Sequence, residues 1–320
     1  MPHPPLHWLE HAHQRLALCP TVGGSVAAWQ WLRDGQPLDL WRPWHGQGNR
    51  DGNGMPDPGD MSCYPLVPWS NRIGGGGFTH ADTFHPLQAN THFDPFPIHG
   101  DGWQQPWELH EPAPGTVAMS LTSRCHLGSP YHYLATQTFT LAPGELQQTL
   151  SVRNLGALAL PFGLGTHPWF TRTPQCSVQA VVDGVWLAGP DKLPTALTRD
   201  FPPGWDLNHG VQPDGAVIDN AYADWRGAAL LHWPERDLTL RVHAQLQAPG
   251  APDRLDAILY TPESSDVFCF EPVSHPINAA HLPGQPGWVT LQPGQEMQLC
   301  LCWQLGSFAA PCSATSQVLR

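Results

Sequence analysis

Short runs that alternate apolar and polar residues, each ending at glycine or proline, make up most of this chain. Residues 25–32, 116–125, 131–141 and 146–156 combine this alternation with the β-branched and aromatic content that is typical of strands. No segment shows the longer repeat of an amphipathic helix of three or more turns. Many strands at hairpin spacing predict an all-β protein.

Three pairs of these runs are joined by turn residues and predict β-hairpins. Residues 138–152 and 289–303 each place Pro-Gly between two alternating runs, and residues 229–244 form the third pair. No break in composition divides the chain, so we expect one large antiparallel β-sandwich domain over residues 1–320. Residues 44–63 predict a long loop, and loops of that length are usually functional or mobile.

Composition and charge exclude several partners. The chain has 320 residues and a net charge of −12 with neutral histidines, and Lys192 is its only lysine. Because no basic cluster could neutralise phosphates, we expect neither nucleic acid nor an anionic membrane as a partner. The first residues lack a signal-peptide pattern and no long apolar run follows, which predicts a cytoplasmic protein. Eight cysteines without C-x-x-C pairs favour buried, reduced thiols.

Three motif-like stretches do not support a function. Residues 7–11, HWLEH, match a zinc-protease pattern that requires a stable helix, but Pro4 and Pro5 precede them. Residues 74–77, GGGG, lack the flanking Lys and Ser or Thr of a phosphate cradle. Residues 51–60 place Met where a calcium loop needs an oxygen ligand. We therefore expect no metal and no cofactor.

Five polar residues stand at the ends of apolar runs, beside proline or glycine. They are Arg72, His99, His167, Asp219 and Glu271. Taken singly, such a histidine is more often a core residue and such a carboxylate more often a solvated turn residue. Together they suit an uncharged sugar, because aromatic faces cover the C–H surface of a sugar while polar groups bond its hydroxyls.

These five residues lie in the motifs NRIGGGGF, HGDGW, THPWF, IDNAY and FEPVSHPINA. In this order, over about residues 20–305, the motifs resemble those of the aldose 1-epimerases. It implies a large β-supersandwich of the galactose mutarotase type, as a monomer or a homodimer. It also implies that Glu271 is the general base and His167 the general acid. The residues implied to bind sugar hydroxyls are Arg72, His99 and Asp219.

The chemistry of this reaction needs only one base and one acid. Interconversion of α- and β-aldopyranoses removes the proton of the anomeric hydroxyl and protonates the ring oxygen. A glutamate that is ionised at neutral pH and a histidine that holds a proton beside a carboxylate can do both. Two alternatives stay open: an epimerase of hexose 6-phosphates, which needs further cations, and a sugar-binding protein without catalysis, which needs no acid and base.

Overall fold

Antiparallel strands form most of the computed structural model, which describes residues 3–46, 56–250 and 254–306. The strands are β1 His7–His11, β2 Gln14–Cys19, β3 Ser25–Arg33, β4 Gln36–Asp39, β5 Pro65–Leu66, β6 Gly77–His80, β7 Thr83–Pro86, β8 Glu108–Ala113, β9 Thr116–Arg124, β10 His132–Ala142, β11 Glu145–Asn154, β12 Leu160–Phe162, β13 Gly165–Thr166, β14 Trp169–Thr171, β15 Ser177–Ala180, β16 Gly184–Ala188, β17 Pro194–Thr198, β18 Ile218–Trp225, β19 Ala228–Trp233, β20 Leu238–Gln247, β21 Leu255–Thr261, β22 Val267–Val273, β23 Val289–Leu291 and β24 Glu296–Gly306. Single-turn 3-10 helices span Pro58–Asp60, Gly102–Gln104, His126–Gly128, Pro234–Arg236 and Ala279–His281. Among the described residues, no helix is long and apolar enough to cross a membrane.

Two large sheets organise these strands. One has the order β15-β19-β20-β24-β11-β10-β9-β8, and the other has the order β17-β16-β18-β21-β22-β13-β5, with β14 also paired to β22. Strands β1 to β4 form a separate sheet, while β6 pairs with β7 and β12 with β23. The central ladders of both large sheets are antiparallel. The predicted all-β antiparallel class is confirmed.

An aromatic core joins the two large sheets. Phe268 in β22 lies 6.3 Å from Trp233 in β19, measured between ring centroids. Phe170 in β14 lies 6.1 Å from Trp303 in β24. Because successive side chains of a strand point to opposite faces, the residues of β22 that alternate with this core face the other way. That other face carries Glu271.

The strand predictions agree with the structure. Residues 25–32, 116–125, 131–141 and 146–156 correspond to β3, β9, β10 and β11 within one or two residues at each end. Strand β10 shows why: its side chains alternate strictly between buried and half-buried positions, so the pattern of burial repeats the pattern of the sequence.

Two of the three predicted hairpins form, and one does not. Residues 138–152 form the β10–β11 pair and residues 229–244 form the β19–β20 pair. The prediction for residues 289–303 is wrong, because β23 pairs with β12 while β24 pairs with β11 and β20. The backbone carbonyl of Asn154 accepts a hydrogen bond of 2.7 Å from the N–H of Gly294 in the connecting turn. This turn leads the chain from one sheet into another.

The predicted long loop is described only at its ends. Residues 47–55 of the 44–63 loop lie outside the described residues. After them, residues 58–60 form a 3-10 helix, and Cys63 makes an isolated bridge to Val26. The loop therefore returns to the sheet that contains β3.

The structure also bears on the predictions for residues 7–11 and for the cysteines. Residues 7–11 form strand β1 rather than the helix that the zinc pattern requires, in agreement with its rejection. The cysteines among the described residues are free thiols, as expected. Cys125, however, is exposed, so burial does not hold for all of them.

Removing the ring of Phe268 tests the core between the large sheets. Phe268→Ala should lower the free energy of unfolding by about 3–5 kcal/mol, because it leaves a cavity between them. Urea unfolding measures the change. The control is Phe84→Ala, at a phenylalanine that is 52% exposed, which should stay within about 0.5 kcal/mol of the unmodified protein. Equal losses in both variants would contradict this placement of the core.

Candidate active site

The register of a broken strand places His167 opposite Glu271. Strand β13 pairs with β22 at Gly165, and β14 resumes the pairing at Trp169, with the same register on both sides of the gap. His167 lies midway between these two positions, at the place that corresponds to Glu271. Pro168 follows it and has no N–H for a ladder hydrogen bond, which favours a break in the strand here.

The two side chains meet at the floor of a pocket. His167 Nε2 lies 3.4 Å from Glu271 Oε1. Glu271 is 1% exposed, and its Oε2 has no hydrogen-bond partner among the described residues. The ring of Tyr64 stacks on His167 with centroids 4.5 Å apart, and the Tyr64 carbonyl accepts a hydrogen bond from the His167 N–H. A carboxylate oxygen is thus left available for a ligand.

Burial makes Glu271 a stronger base than an exposed glutamate. Loss of solvent raises the pKa of its carboxyl well above the ordinary value, and the nearby Asp219 carboxylate raises it further. The guanidinium of Arg72 acts in the opposite direction. A higher pKa brings the carboxylate closer to the proton affinity that general-base catalysis at neutral pH requires.

Asp219 reaches the same face through strand pairing. In β18 it pairs with Tyr260 of β21, which in turn pairs with Cys269 of β22. Residues that pair directly across antiparallel strands project to the same side of the sheet. Cys269 and Glu271 are two residues apart, so all four side chains belong to one face.

His99 presents a hydrogen-bond donor to the pocket. Its Nδ1 accepts a 3.1 Å hydrogen bond from the backbone N–H of Asn71, so in the neutral ring Nε2 carries the proton. Burial lowers the pKa of His99 well below its ordinary value, which keeps the ring neutral. The glycine of the H-G motif is required by space, because a Cβ on Gly100 would lie 2.1 Å from the carbonyl oxygen of Val67.

A network of charges lies along one wall of the pocket, where Arg72 and Asp219 line it and each contacts a further charged residue that does not. Arg72 Nε lies 2.7 Å from Asp94 Oδ2, and Arg72 Nη1 lies 3.8 Å from Asp219 Oδ2. Lys192, in the turn between β16 and β17, places its Nζ 3.9 Å from the same Asp219 oxygen. Two cations therefore face two carboxylates on this wall. No sequence pattern indicated that Lys192 or Asp94 belongs here.

All five sequence-predicted residues line this one pocket, whose volume is about 190 Å³. Six polar or aromatic side chains that line it were not assigned a role from the sequence: Tyr64, Asn71, Phe93, Trp103, Trp169 and Tyr260. Three of them, Asn71, Trp103 and Trp169, lie within the motifs quoted above, so the signal was present. The other three come from separate segments that only the fold brings to the pocket.

His275, in the same motif as Glu271, has a structural position instead. Its Nε2 accepts a 3.1 Å hydrogen bond from the backbone N–H of Ser70, and its Nδ1 lies 2.8 Å from the carbonyl oxygen of Pro276, to which it donates. Burial lowers the pKa of this ring to about 4, so it stays neutral. It fastens the segment after β22 to the segment that carries Arg72.

One group of possible metal ligands lies in the site. Among the described residues, ligand atoms of His167, Cys269 and Glu271 lie within 4.8 Å of one another. A thiol, an imidazole and a carboxylate are donors that suit Zn²⁺. The acid and base chemistry described below uses the same His167 and Glu271 without a metal.

Comparisons with known proteins identify the family of this chain. The family model described as aldose 1-epimerase matches residues 5–301. The uncharacterised protein YphB of Escherichia coli K12 is 33% identical over 256 residues, which are 76% of this chain and 85% of YphB.

Solved structures share the fold. A crystal structure from Escherichia coli K12, provisionally named an aldose 1-epimerase, has a TM-score of 0.81 at 29% identity and covers 95% of this chain and 99% of its own. A galactose mutarotase-like protein from Clostridium acetobutylicum has a TM-score of 0.75 at 18% identity, with 94% of each chain covered. The predicted galactose mutarotase-like fold is confirmed.

The pKa of Glu271 should be measurable directly. In a ¹³C NMR titration of labelled glutamate side chains, its carboxyl should titrate clearly above the ordinary value of 4.5. A carboxylate with a raised pKa is protonated at a higher pH. As the solution is acidified, activity that depends on this base should therefore begin to decline while the pH is still above 4.5. Asp219→Asn should lower the Glu271 pKa, since it removes a repelling charge.

The matched control for this titration is Asp183→Asn, at an exposed ion pair with Arg226. It should leave the Glu271 titration unchanged. A Glu271 resonance that titrates at or below 4.5 would contradict the burial argument.

Proposed function

The chain belongs to the aldose 1-epimerase family, and we propose that it interconverts the α and β anomers of free aldopyranoses. The observation that carries this proposal is the 3.4 Å separation of His167 Nε2 and Glu271 Oε1. The anomeric hydroxyl and the ring oxygen are bonded to the same carbon. Their proton acceptor and proton donor must therefore lie side by side, as these two groups do.

In the proposed reaction, Glu271 acts as the base and His167 as the acid. Glu271 Oε2 accepts the proton of the anomeric hydroxyl while His167 Nε2 donates a proton to the ring oxygen, and the bond between C1 and the ring oxygen breaks. The open-chain aldehyde rotates about C1–C2. The ring oxygen then attacks the other face of C1, returns its proton to His167, and the new anomeric oxygen takes the proton from Glu271. No atom or electron is gained or lost.

The remaining pocket residues suit a sugar. His99 Nε2–H and the Arg72 guanidinium offer donors, and Asp219 offers an acceptor, for ring hydroxyls. Trp103 and Trp169 supply aromatic faces for the C–H surface. Each positioned proton transfer typically contributes about 10²–10⁴-fold to the rate.

Charge balance favours a neutral substrate over a hexose 6-phosphate. From the sequence, this preference depends on the lack of a second cation beside Arg72. The structure places Lys192 there, but Asp94 and Asp219 offset both positive charges. A phosphate dianion would thus meet a wall that already contains equal numbers of opposite charges, with Glu271 beyond it. Burying a charge without a partner is costly.

A further cation near the pocket is engaged with the backbone. The guanidinium of Arg42 packs over Trp169 at 4.8 Å and donates hydrogen bonds to the carbonyls of Gly59 and Met61. It supports the rim of the pocket, and both of these hydrogen bonds come from its Nη2.

Removal of either proton-transfer group tests the mechanism. Glu271→Gln and His167→Asn should each lower catalysed mutarotation of α-glucose and α-galactose by about 10²-fold or more, because hydrogen bonding is partly kept while proton transfer is lost. Polarimetry of freshly dissolved sugar measures the rate. The control Glu235→Gln, at an exposed turn residue, should keep full activity. A wild-type protein without catalysis would instead support a sugar-binding protein.

Comparison of free and phosphorylated hexoses tests the substrate class. Catalytic efficiency on glucose should exceed that on glucose 6-phosphate, because the charged wall has no surplus of positive charge. Asp219→Asn should reduce the ratio of the efficiency on glucose to that on glucose 6-phosphate, since it removes one of the two carboxylates that offset the positive charges. A clear preference of the wild type for the phosphate would overturn the substrate class and leave the acid and base roles standing.

A further inference from the structure

A buried thiol lies beside the acid and the base of the active-site pocket. Cys269 stands two residues before Glu271 in β22, so both side chains project to the same face of the sheet. The thiol is fully buried and packs with Trp169 and Tyr260, two aromatic residues that line the pocket. No step of the proposed reaction uses it.

Three metal-binding atoms come together at this place. The sulfur of Cys269, a ring nitrogen of His167 and a carboxylate oxygen of Glu271 lie within 4.8 Å of one another. Atoms so spaced share a point that is at most about 2.8 Å from each, the circumradius of an equilateral triangle with 4.8 Å sides. Zn²⁺ takes such ligands at about 2.0–2.3 Å. Side-chain movements of less than about 1 Å therefore suffice to coordinate the ion.

The pair at the floor of the pocket already has the spacing of two zinc ligands. In a tetrahedral complex with bonds of about 2.0–2.1 Å, two ligand atoms are about 3.3–3.4 Å apart. His167 Nε2 and Glu271 Oε1 are 3.4 Å apart. The stacked ring of Tyr64 holds the imidazole, and the pairing of Glu271 with Ile258 of β21 holds the strand. These two groups thus need little reorganisation to bind the ion.

The charges of the three groups also suit a divalent cation. Glu271 is 1% exposed, and its Oε2 has no hydrogen-bond partner among the described residues. A thiol that coordinates a metal loses its proton. Zn²⁺ with one thiolate, one carboxylate and one neutral imidazole has no net charge. Such a complex avoids the cost of burying an unpaired ion.

We propose that His167, Cys269 and Glu271 form a zinc site whose occupation reversibly inhibits the reaction at this pocket. The binding of the metal stands on the geometry, whereas the inhibition rests on the proposed function. The ion takes the nitrogen that donates a proton and the carboxylate that accepts one, so neither group can act. Three protein ligands leave a fourth position for water, and we expect this water to lie where the anomeric hydroxyl binds. Zn²⁺ and sugar therefore compete.

The thiol makes this site selective among divalent cations. Mg²⁺ and Ca²⁺ prefer six or more oxygen ligands, and the three groups supply oxygen from one carboxylate alone. Zn²⁺ accepts sulfur, nitrogen and oxygen in a four-coordinate site. Inhibition should therefore be specific to Zn²⁺ over Mg²⁺.

Polarimetry with added metal tests the inference. Zn²⁺ should lower the wild-type rate of mutarotation, a higher glucose concentration should relieve the inhibition, and EDTA should restore the full rate. Mg²⁺ at the same concentration should have no effect. Cys269→Ser and Cys269→Ala should each raise the inhibition constant of Zn²⁺ by about 10-fold or more, because loss of a residue that merely orients a ligand already costs about 10–100-fold. Each variant is compared with its own rate without metal.

The matched control is Cys125→Ser, at an exposed thiol directly after β9. It should be inhibited by Zn²⁺ as strongly as the wild type. The inference is overturned if Zn²⁺ does not inhibit the wild type or if glucose does not relieve the inhibition. Inhibition of both Cys269 variants at the wild-type zinc concentration would overturn it as well.

Cobalt spectroscopy separates failure of this inference from failure of the proposed function. Co²⁺ can replace Zn²⁺ in such a site, and a thiolate bound to it gives an intense charge-transfer absorption in the near ultraviolet. If no sugar shows catalysed mutarotation, this absorption still reports the metal site. A band that is present in the wild type and in Cys125→Ser but absent from both Cys269 variants supports the site. A band that persists without Cys269, or no band in the wild type, overturns it.

Discussion

A carboxylate buried opposite an imidazole is the constraint on which the rest of this structure depends. All seven residues of β22 are buried, and Glu271 among them is 1% exposed. A charge at such a place is costly unless it is paired and hydrogen-bonded. The strand beside β22 is interrupted at His167, which provides both the partner and the space for a pocket. Phe268, on the opposite face of β22, anchors the strand in the aromatic core. The packing of the core therefore also determines the position of Glu271.

The polar residues around Glu271 form a continuous scaffold rather than separate contacts. Asn71 connects two of them, since its N–H donates to His99 Nδ1 and its side-chain oxygen accepts from the backbone N–H of Arg72. Arg72 continues to Asp94 and towards Asp219, which acts on the pKa of Glu271. Asn90 holds the other side of the His99 segment, because its side-chain amide donates to the carbonyls of Ile98 and Gly100. These connected hydrogen bonds hold the polar residues of the pocket in one arrangement.

The fold was predictable wherever local patterns determine it. Alternation in β10 predicts a strand because one face of that strand meets the core and the other does not. Residues 138–152 form a hairpin because their two strands are neighbours in the sheet. Residues 289–303 carry a similar Pro-Gly turn, yet β24 is placed between β11 and β20. A turn signal indicates that the chain reverses, whereas the choice of partner strand depends on contacts that are distant in sequence.

The sequence by itself determined the chemical groups of the site, and the tertiary structure decided how they act. Proline or glycine near Arg72, His99, His167, Asp219 and Glu271 distinguishes them in the sequence, although Asp219 and Glu271 lie within β18 and β22. The 3.4 Å contact between His167 and Glu271 follows from the register of strands that are about a hundred residues apart in the chain. The placement of Lys192 beside Asp219, and of Phe93 in the lining of the pocket, also required the fold. Distances and burial set the strength of electrostatic and apolar interactions, and neither is a property of the sequence pattern alone.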